Sequence, residues 1–364
     1  EVATGIASPG RPHRGGCSRA LQRVSCKGLH PPTAYRFVPS APPHVLATRA
    51  RHLTEAAARA CLPWVGRGDK DAADAAAVAA LRRAFTETPF RGHVVIGEGE
   101  KDDAPYLAPG ERLGPERGAA MEVAVDPLEG TQLAANDAPG ALSVLALAPP
   151  DSFLPLGRAF YMEKLVGPPA AAEALSLDAA PRAVVGAVAD ALCLRPHDLR
   201  IAVQQRPRHE ALVRALRRSG AQVQLFADGD LSFALLALRG RATTRDAPID
   251  LLWGTGGAPE GMLAAAAQRV IGGAMRVRLA PQSAAERRRI AQAPNLSDVL
   301  GRTLAPTDLV RTEAVTMTLT GVTNGPLLRG VRHDPDRATH TTETMVLRAG
   351  SDPQHVTTRH EASA

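Results

Sequence analysis

Apolar residues recur along this chain with two periods, and the points where one gives way to the other divide it into elements. Short β-branched runs at 94–96, 121–125 and 141–147 read as buried strands, the second of them stopped by Pro127, which has no N–H for a ladder. Residues 54–62 read as a helix with Thr54 at its N-cap and Pro63 closing it. The next segment repeats Val78, Leu81 and Phe85 at helical spacing, with Asp74 in its first turn. From Leu199 onward strand, polar loop and helix alternate three times. LRIAVQQ leads through RPRHE to a helix at 211–218, QVQLF leads through a DGD turn to 231–239, and IDLLW leads through GTGGAPEG to 262–270. Such alternation predicts parallel strands covered by helices, with the loops at their carboxyl ends gathered on one binding edge. Beyond these, 284–292 reads as a basic helix, and 309–320 and 341–347 as late strands. A bend at Pro149, Pro150 and Pro155 predicts a boundary between an N-terminal domain, 48–155, and a C-terminal α/β domain, 156–350. The polar end, 351–364, reads as a frayed tail.

Composition changes this picture in a few places. Aromatic residues make up only 3% of the chain, so Ala, Val and Leu must fill the cores. A formal charge of +6 suggests a polyanionic partner until it is located: residues 2–54 carry eight Lys/Arg and no acid, and the remainder is close to neutral. A nucleic-acid face is therefore a poor reading. Rich in Pro, Gly, Ser and Arg, residues 1–47 have the composition of a disordered basic leader of the transit-peptide kind. No run of eighteen apolar residues exists, so no membrane span is expected. Cys17, Cys26, Cys61 and Cys193 show no CxxC or zinc-like spacing and read as reduced thiols without function.

The candidate chemistry lies in MEVAVDPLEGT, residues 121–131. Asp126 and Glu129 follow the strand, and Gly130 and Thr131 then open a helix whose free N–H groups suit an anion. Carboxylates beside an anion repel it unless a cation lies between them, which points to Mg²⁺ or Mn²⁺ bridging acidic side chains to a phosphate. Upstream, HVVIGEGEKDDAP presents Glu98 at a strand end between two glycines.

These stretches, IGEGEKDDAP and AVDPLEGT with GRGDKDAAD before them and GTGGAPEG after, resemble the class II fructose-1,6-bisphosphatase family, including photosynthetic members that also act on sedoheptulose 1,7-bisphosphate. That family lies within the lithium-sensitive sugar and inositol phosphatases. The resemblance implies a layered α-β-α-β-α fold, two sheets between helical layers, and metal-dependent release of the 1-phosphate of fructose 1,6-bisphosphate. It implies metal ligands at Asp74, Glu98, Asp126, Glu129 and Glu260 with the Leu128 carbonyl, and a water held by Asp74 and Thr131. Substrate contacts are implied at Glu129, Gly130, Thr131, Tyr161, Arg208, His209, Glu210, Asp228, Gly229 and Asp230, with Gly257 leaving room for the sugar ring and Lys164 a lesser candidate. A homo-oligomer, dimer or tetramer, and a plastid address, with a cytoplasmic alternative, belong to the same expectation. Three competing readings stay open: an inositol phosphate or phosphoadenosine phosphate phosphatase, a nucleotide-binding module, and a non-catalytic regulator keeping the fold. Taken one at a time, the residues have blander readings, an Asp in a helix or a polar turn, and it is their joint register that favours the enzyme.

Overall fold

Side chains alternate across a strand, so a buried strand feeds two different cores. In β3 (Ala119–Glu129) this separates Met121, Val123 and Val125 from Ala124, and in β4 (Leu142–Ala148) Leu145 and Leu147 from Val144 and Ala146. The first set of each packs under α1 (Pro43–Cys61) and α2 (Lys70–Phe85), where the helically spaced Val78, Leu81 and Phe85 are buried as expected. The second set faces the helices that lie between the two sheets. This computed structural model describes residues 42–97, 107–157, 159–243 and 248–361.

The first sheet runs β11–β12–β10–β4–β3–β1–β2, with β13 also paired to β12. Its remaining strands are β1 (Phe90–Ile96), β2 (Arg112–Leu113), β10 (Thr316–Gly321), β11 (Arg332–Asp334), β12 (Thr339–Arg348) and β13 (Gln354–Glu361). The second runs β7–β6–β8–β5–β9, built from β5 (Tyr161–Gly167), β6 (Arg200–Gln204), β7 (Gln222–Phe226), β8 (Leu251–Gly257) and β9 (Ala274–Leu279). As the repeating pattern predicts, β6 is parallel to both β7 and β8; β5, paired with β8 and β9, is antiparallel.

Helices α6 (Asp230–Arg239) and α7 (Ala258–Ile271) lie between the sheets, α7 touching strands of both. On the outer face of the second sheet, α4 (Pro181–Ala191) and α5 (Glu210–Arg218) cover Ile201, Val203, Leu251 and Trp253. Helix, sheet, helix, sheet and helix therefore stack as five layers around three apolar cores. Among the described residues the remaining α-helices are α3 (Thr131–Ala135), α8 (Ala284–Gln292) and α9 (Pro306–Leu309).

Several expectations are corrected. Strand β3 does not stop at Pro127 but passes through it to Glu129, with a register shift against β4 between Asp126 and Glu129. A bulge needs no ladder donor at that point, so proline is tolerated. Helix α1 starts at Pro43 rather than Thr54. Thr54 is buried in mid-helix, where its hydroxyl meets those of Thr318 and Thr320 on β10. Residues 1–41, most of the segment expected as a leader, lie outside the described part. Asp74 sits in the second turn of α2, whose N-cap is Asp69, its carboxylate accepting from Ala72 N at 2.9 Å. Leu309 closes α9, so the late strand begins only at Thr316. Across the expected boundary at 155, β10 returns to pair antiparallel with β4 from Thr316↔Leu147 to Gly321↔Leu142. The tail does not fray: β13 pairs with β12 over eight registered positions, its Val356, Thr358 and His360 half-buried on one face.

Candidate functional site

Three carboxylates from distant parts of the chain meet beside the central helix layer. One oxygen each from Asp126, Glu129 and Glu260 lies within 4.8 Å of the others. An odd spacing of three along a regular strand would send Asp126 and Glu129 to opposite faces. The register shift between them breaks that alternation and lets both reach one point. Leu128 N donates to Asp126 Oδ1 at 3.1 Å and holds the turn. Glu260 comes from the first turn of α7, at the carboxyl end of β8.

The electrostatics of this cluster call for a cation. Burial, reinforced by Glu260 and Asp74, pushes the Asp126 carboxyl far above the usual carboxylate range. Burial and the charges of Asp126, Glu260 and Asp230 do the same to Glu129. Buried like charges at this separation bind a proton or a metal ion, and three hard oxygen donors suit a divalent cation such as Mg²⁺ or Mn²⁺. Asp74, buried on α2, adds to the field on Asp126 and also acts on Cys61, whose thiol burial first pushes up to about 12. That thiol stays protonated, in keeping with a cysteine of no chemical role. Glu98 lies outside the described residues.

Next to the acids, Gly130 adopts a left-handed conformation (φ 79°) and caps α3, and Thr131 is its first residue. The positive φ favours glycine there, and a Cβ would also come to 2.9 Å from Leu133 Cδ1, which would have to turn aside. Gly257, expected to leave room for the sugar ring, lies against Glu260. A Cβ there would collide with the Glu260 carboxylate, so this glycine makes room for a side chain of the acidic cluster.

The residues expected at the sugar end gather at the carboxyl ends of β6, β7 and β8 and the start of β5, but in different roles. The Arg208 guanidinium stands 5.4 Å from the centre of the Tyr161 ring and donates through Nε to the Thr255 carbonyl at 2.9 Å. It is exposed, oriented and suited to a phosphate dianion. His209 is not available to a ligand: Nε2 accepts from Thr255 N at 2.8 Å, leaving Nδ1 to donate to the Gln204 carbonyl at 2.7 Å. Burial lowers its pKa, so the ring is a neutral pin between two strand ends. Asp228 is held by Gln204 Nε2 at 3.3 Å and lies 3.6 Å from Arg206. Asp230 is buried, its Oδ2 2.5 Å from Lys164 Nζ, and it lines a small pocket with Gln204, His209 and Thr255. Gly229 (φ 81°) caps α6 between the two acids. Glu210 is exposed and 3.5 Å from Arg214 one turn along α5, an ordinary surface pair. Thr255 was not legible as a site residue, because its part is played through backbone groups that any residue type carries, and Gln204 was not, because its side chain reaches Asp228 only across 24 residues.

A family model described as bacterial fructose-1,6-bisphosphatase, glpX-encoded, matches residues 44–360. Among curated proteins, the fructose-1,6-bisphosphatase class 2 of Haemophilus influenzae is 38% identical over 316 residues, 84% of this chain and 92% of that protein. Fructose-1,6-bisphosphatase 1 class 2 of Escherichia coli K12 is 37% identical over the same shares.

Proposed function

Since the chain belongs to the glpX-type, class 2 fructose-1,6-bisphosphatase family, we propose that it hydrolyses the 1-phosphate of fructose 1,6-bisphosphate to give fructose 6-phosphate. The observation that carries this reading is the convergence of Asp126, Glu129 and Glu260, a trio that burial and mutual repulsion leave in need of a cation. Mg²⁺ or Mn²⁺ bound there would draw charge from the phosphoryl oxygens and favour hydroxide from a bound water.

The chain's own groups supply the rest. Asp126, Glu129 and Glu260 would hold the cation, joined in this proposal by Glu98 and the Leu128 carbonyl. Asp74 lies close enough to add to the field on Asp126 and serves as the proton acceptor for the attacking water, which the Thr131 hydroxyl orients. Gly130, Thr131 and the Glu129 region seat the scissile phosphate. At the far end Arg208, stacked on Tyr161, takes the 6-phosphate, while the pinned His209 keeps the Arg208 and Thr255 loops in register. Asp228 and Gly229 border the sugar. Sedoheptulose 1,7-bisphosphate presents the same phosphate and ring hydroxyls and falls within the same proposal.

Phosphate release from fructose 1,6-bisphosphate, sedoheptulose 1,7-bisphosphate and inositol 1-phosphate, each with Mg²⁺, Mn²⁺ or EDTA, tests it. Metal-dependent release from the fructose ester supports the reading. Release from inositol phosphate alone would move the chain to a sister activity, and no release at all would leave a fold kept without catalysis.

A further inference from the structure

On β5 the side chains facing the central helix layer are Met162, Lys164 and Val166, so an ammonium occupies a position in an otherwise apolar row. Lys164 is 2% exposed. A buried charge is costly unless paired, and apolar replacement of a whole buried pair is often neutral for stability, so folding alone does not call for this lysine.

What the ammonium joins is specific. Nζ lies 2.5 Å from Asp230 Oδ2 and donates to the Gly257 carbonyl at 2.8 Å. Gly257 is the N-cap of α7, three residues before Glu260. Asp230 opens α6, and the next amide, Leu231 N, donates to Glu129 Oε1 at 3.4 Å. One side chain thus ties together the starts of the two helices that reach Glu260 and Glu129. The space around it is cleared by glycine. A Cβ at Gly256 would run into the Asp230 carboxylate and come to 2.9 Å from Lys164 Nζ.

We propose that Lys164 is a positioning residue for the metal centre: by holding α6 and α7 at one ammonium it sets the separation of Glu129 and Glu260, and it does not touch the substrate. This rests on the reading of Asp126, Glu129 and Glu260 as metal ligands. It differs from the expectation that Lys164 contacts the sugar: the ammonium is 2% exposed and committed to Asp230 and the Gly257 carbonyl.

The test is Mn²⁺ binding to the full chain, read from the electron paramagnetic resonance of the free aqua-ion, alongside KM and kcat at saturating Mn²⁺. Lys164→Met leaves the Asp230 carboxylate stranded, so Lys164→Met with Asp230→Asn is the companion variant that retains the fold. In both, Mn²⁺ binding should weaken roughly ten- to a hundredfold, the range seen when a ligand-orienting partner is lost. In Lys164→Met, which keeps Asp230, KM for fructose 1,6-bisphosphate should stay within about twofold of wild type. Unchanged Mn²⁺ binding in a folded double variant overturns the proposal. So does a raised KM with unchanged Mn²⁺ binding in Lys164→Met, which would make the lysine a substrate contact. Wild-type protein that takes up no Mn²⁺ would overturn the metal reading itself, and this inference with it.

Discussion

Thr255 donates its backbone N–H to Nε2 of His209 at 2.8 Å, and the same ring reaches the Gln204 carbonyl at 2.7 Å. An imidazole with both nitrogens committed to backbone is a spacer of fixed tautomer. His209→Phe keeps the bulk and strands one N–H and one C=O, each costing about 1–3 kcal/mol. We expect KM for the sugar bisphosphate to rise more than kcat falls, because Arg208 loses its seat, and the urea midpoint to drop. Equal kcat and KM in that variant would remove His209 from the site.

Gly257→Ala tests the crowding at Glu260. The added methyl group collides with the Glu260 carboxylate while leaving the sheet pairing of β8 intact. Activity should fall about a hundredfold or more with circular dichroism unchanged, as expected when a metal ligand is displaced by about an ångström. Activity close to wild type would show that Glu260 is not needed where it stands.

The carboxyl cluster carries its own pH signature in EDTA. Asp126 and Glu129 have folded-state pKa values raised above the unfolded ones. Their contribution is fully present below the ordinary carboxylate value near 4 and is lost as pH rises toward the folded value, about 8 for Asp126. Metal-free protein should therefore lose stability between about pH 4 and 8, and added Mn²⁺ should restore more at pH 8 than at pH 5. Asp126→Asn should melt higher than wild type in EDTA while losing turnover. A metal effect on melting that does not grow with pH would contradict the assignment.

On the other side of the first sheet, His360 faces the opposite titration. Burial and then Arg59, Arg51, His52 and His340 lower its pKa to about 4, against Glu55 Oε2 at 3.9 Å. A histidine kept neutral in the fold contributes stability above its unfolded value near 6.5, and that contribution is lost as pH falls toward about 4. His360→Asn should flatten the decline in stability over that window, measured by urea unfolding at several pH values. An unchanged slope would show that the ring titrates normally.

A cluster of hydroxyls at the α1–β10 contact gives a stability test away from the site. Thr320 Oγ1 lies 2.8 Å from both Thr54 Oγ1 and Thr344 Oγ1, all three residues fully buried. Thr320→Val leaves two buried hydroxyls short of a partner and should cost about 1–3 kcal/mol without changing KM. A neutral result would mean that the neighbours re-pair among themselves.

Much of the architecture was readable one segment at a time. The three strand–loop–helix units at 200–271, the buried face of Val78, Leu81 and Phe85, and the helix at 284–292 are local patterns of apolar spacing, and the structure keeps them. Misread segments are those where a local signal lost to tertiary pairing. Pro127 sits in a bulge, Thr54 is buried by β10, and the polar strand β13 is ordered by eight pairs with β12 rather than by its own propensity.

The same division runs through the site. The sequence by itself determined the chemistry on offer and the family, because DPLEGT, GEG and GTGGAPEG each place an acid within a few residues of a glycine turn. Only the tertiary structure decided what each of these groups touches. His209 became a pin, Gly257 a recess for Glu260, and Lys164 a tie between two helices, because the partners of Lys164 lie 66 and 93 residues away. Contacts of that range depend on how sheets and helices stack, and no local periodicity encodes a distance between them.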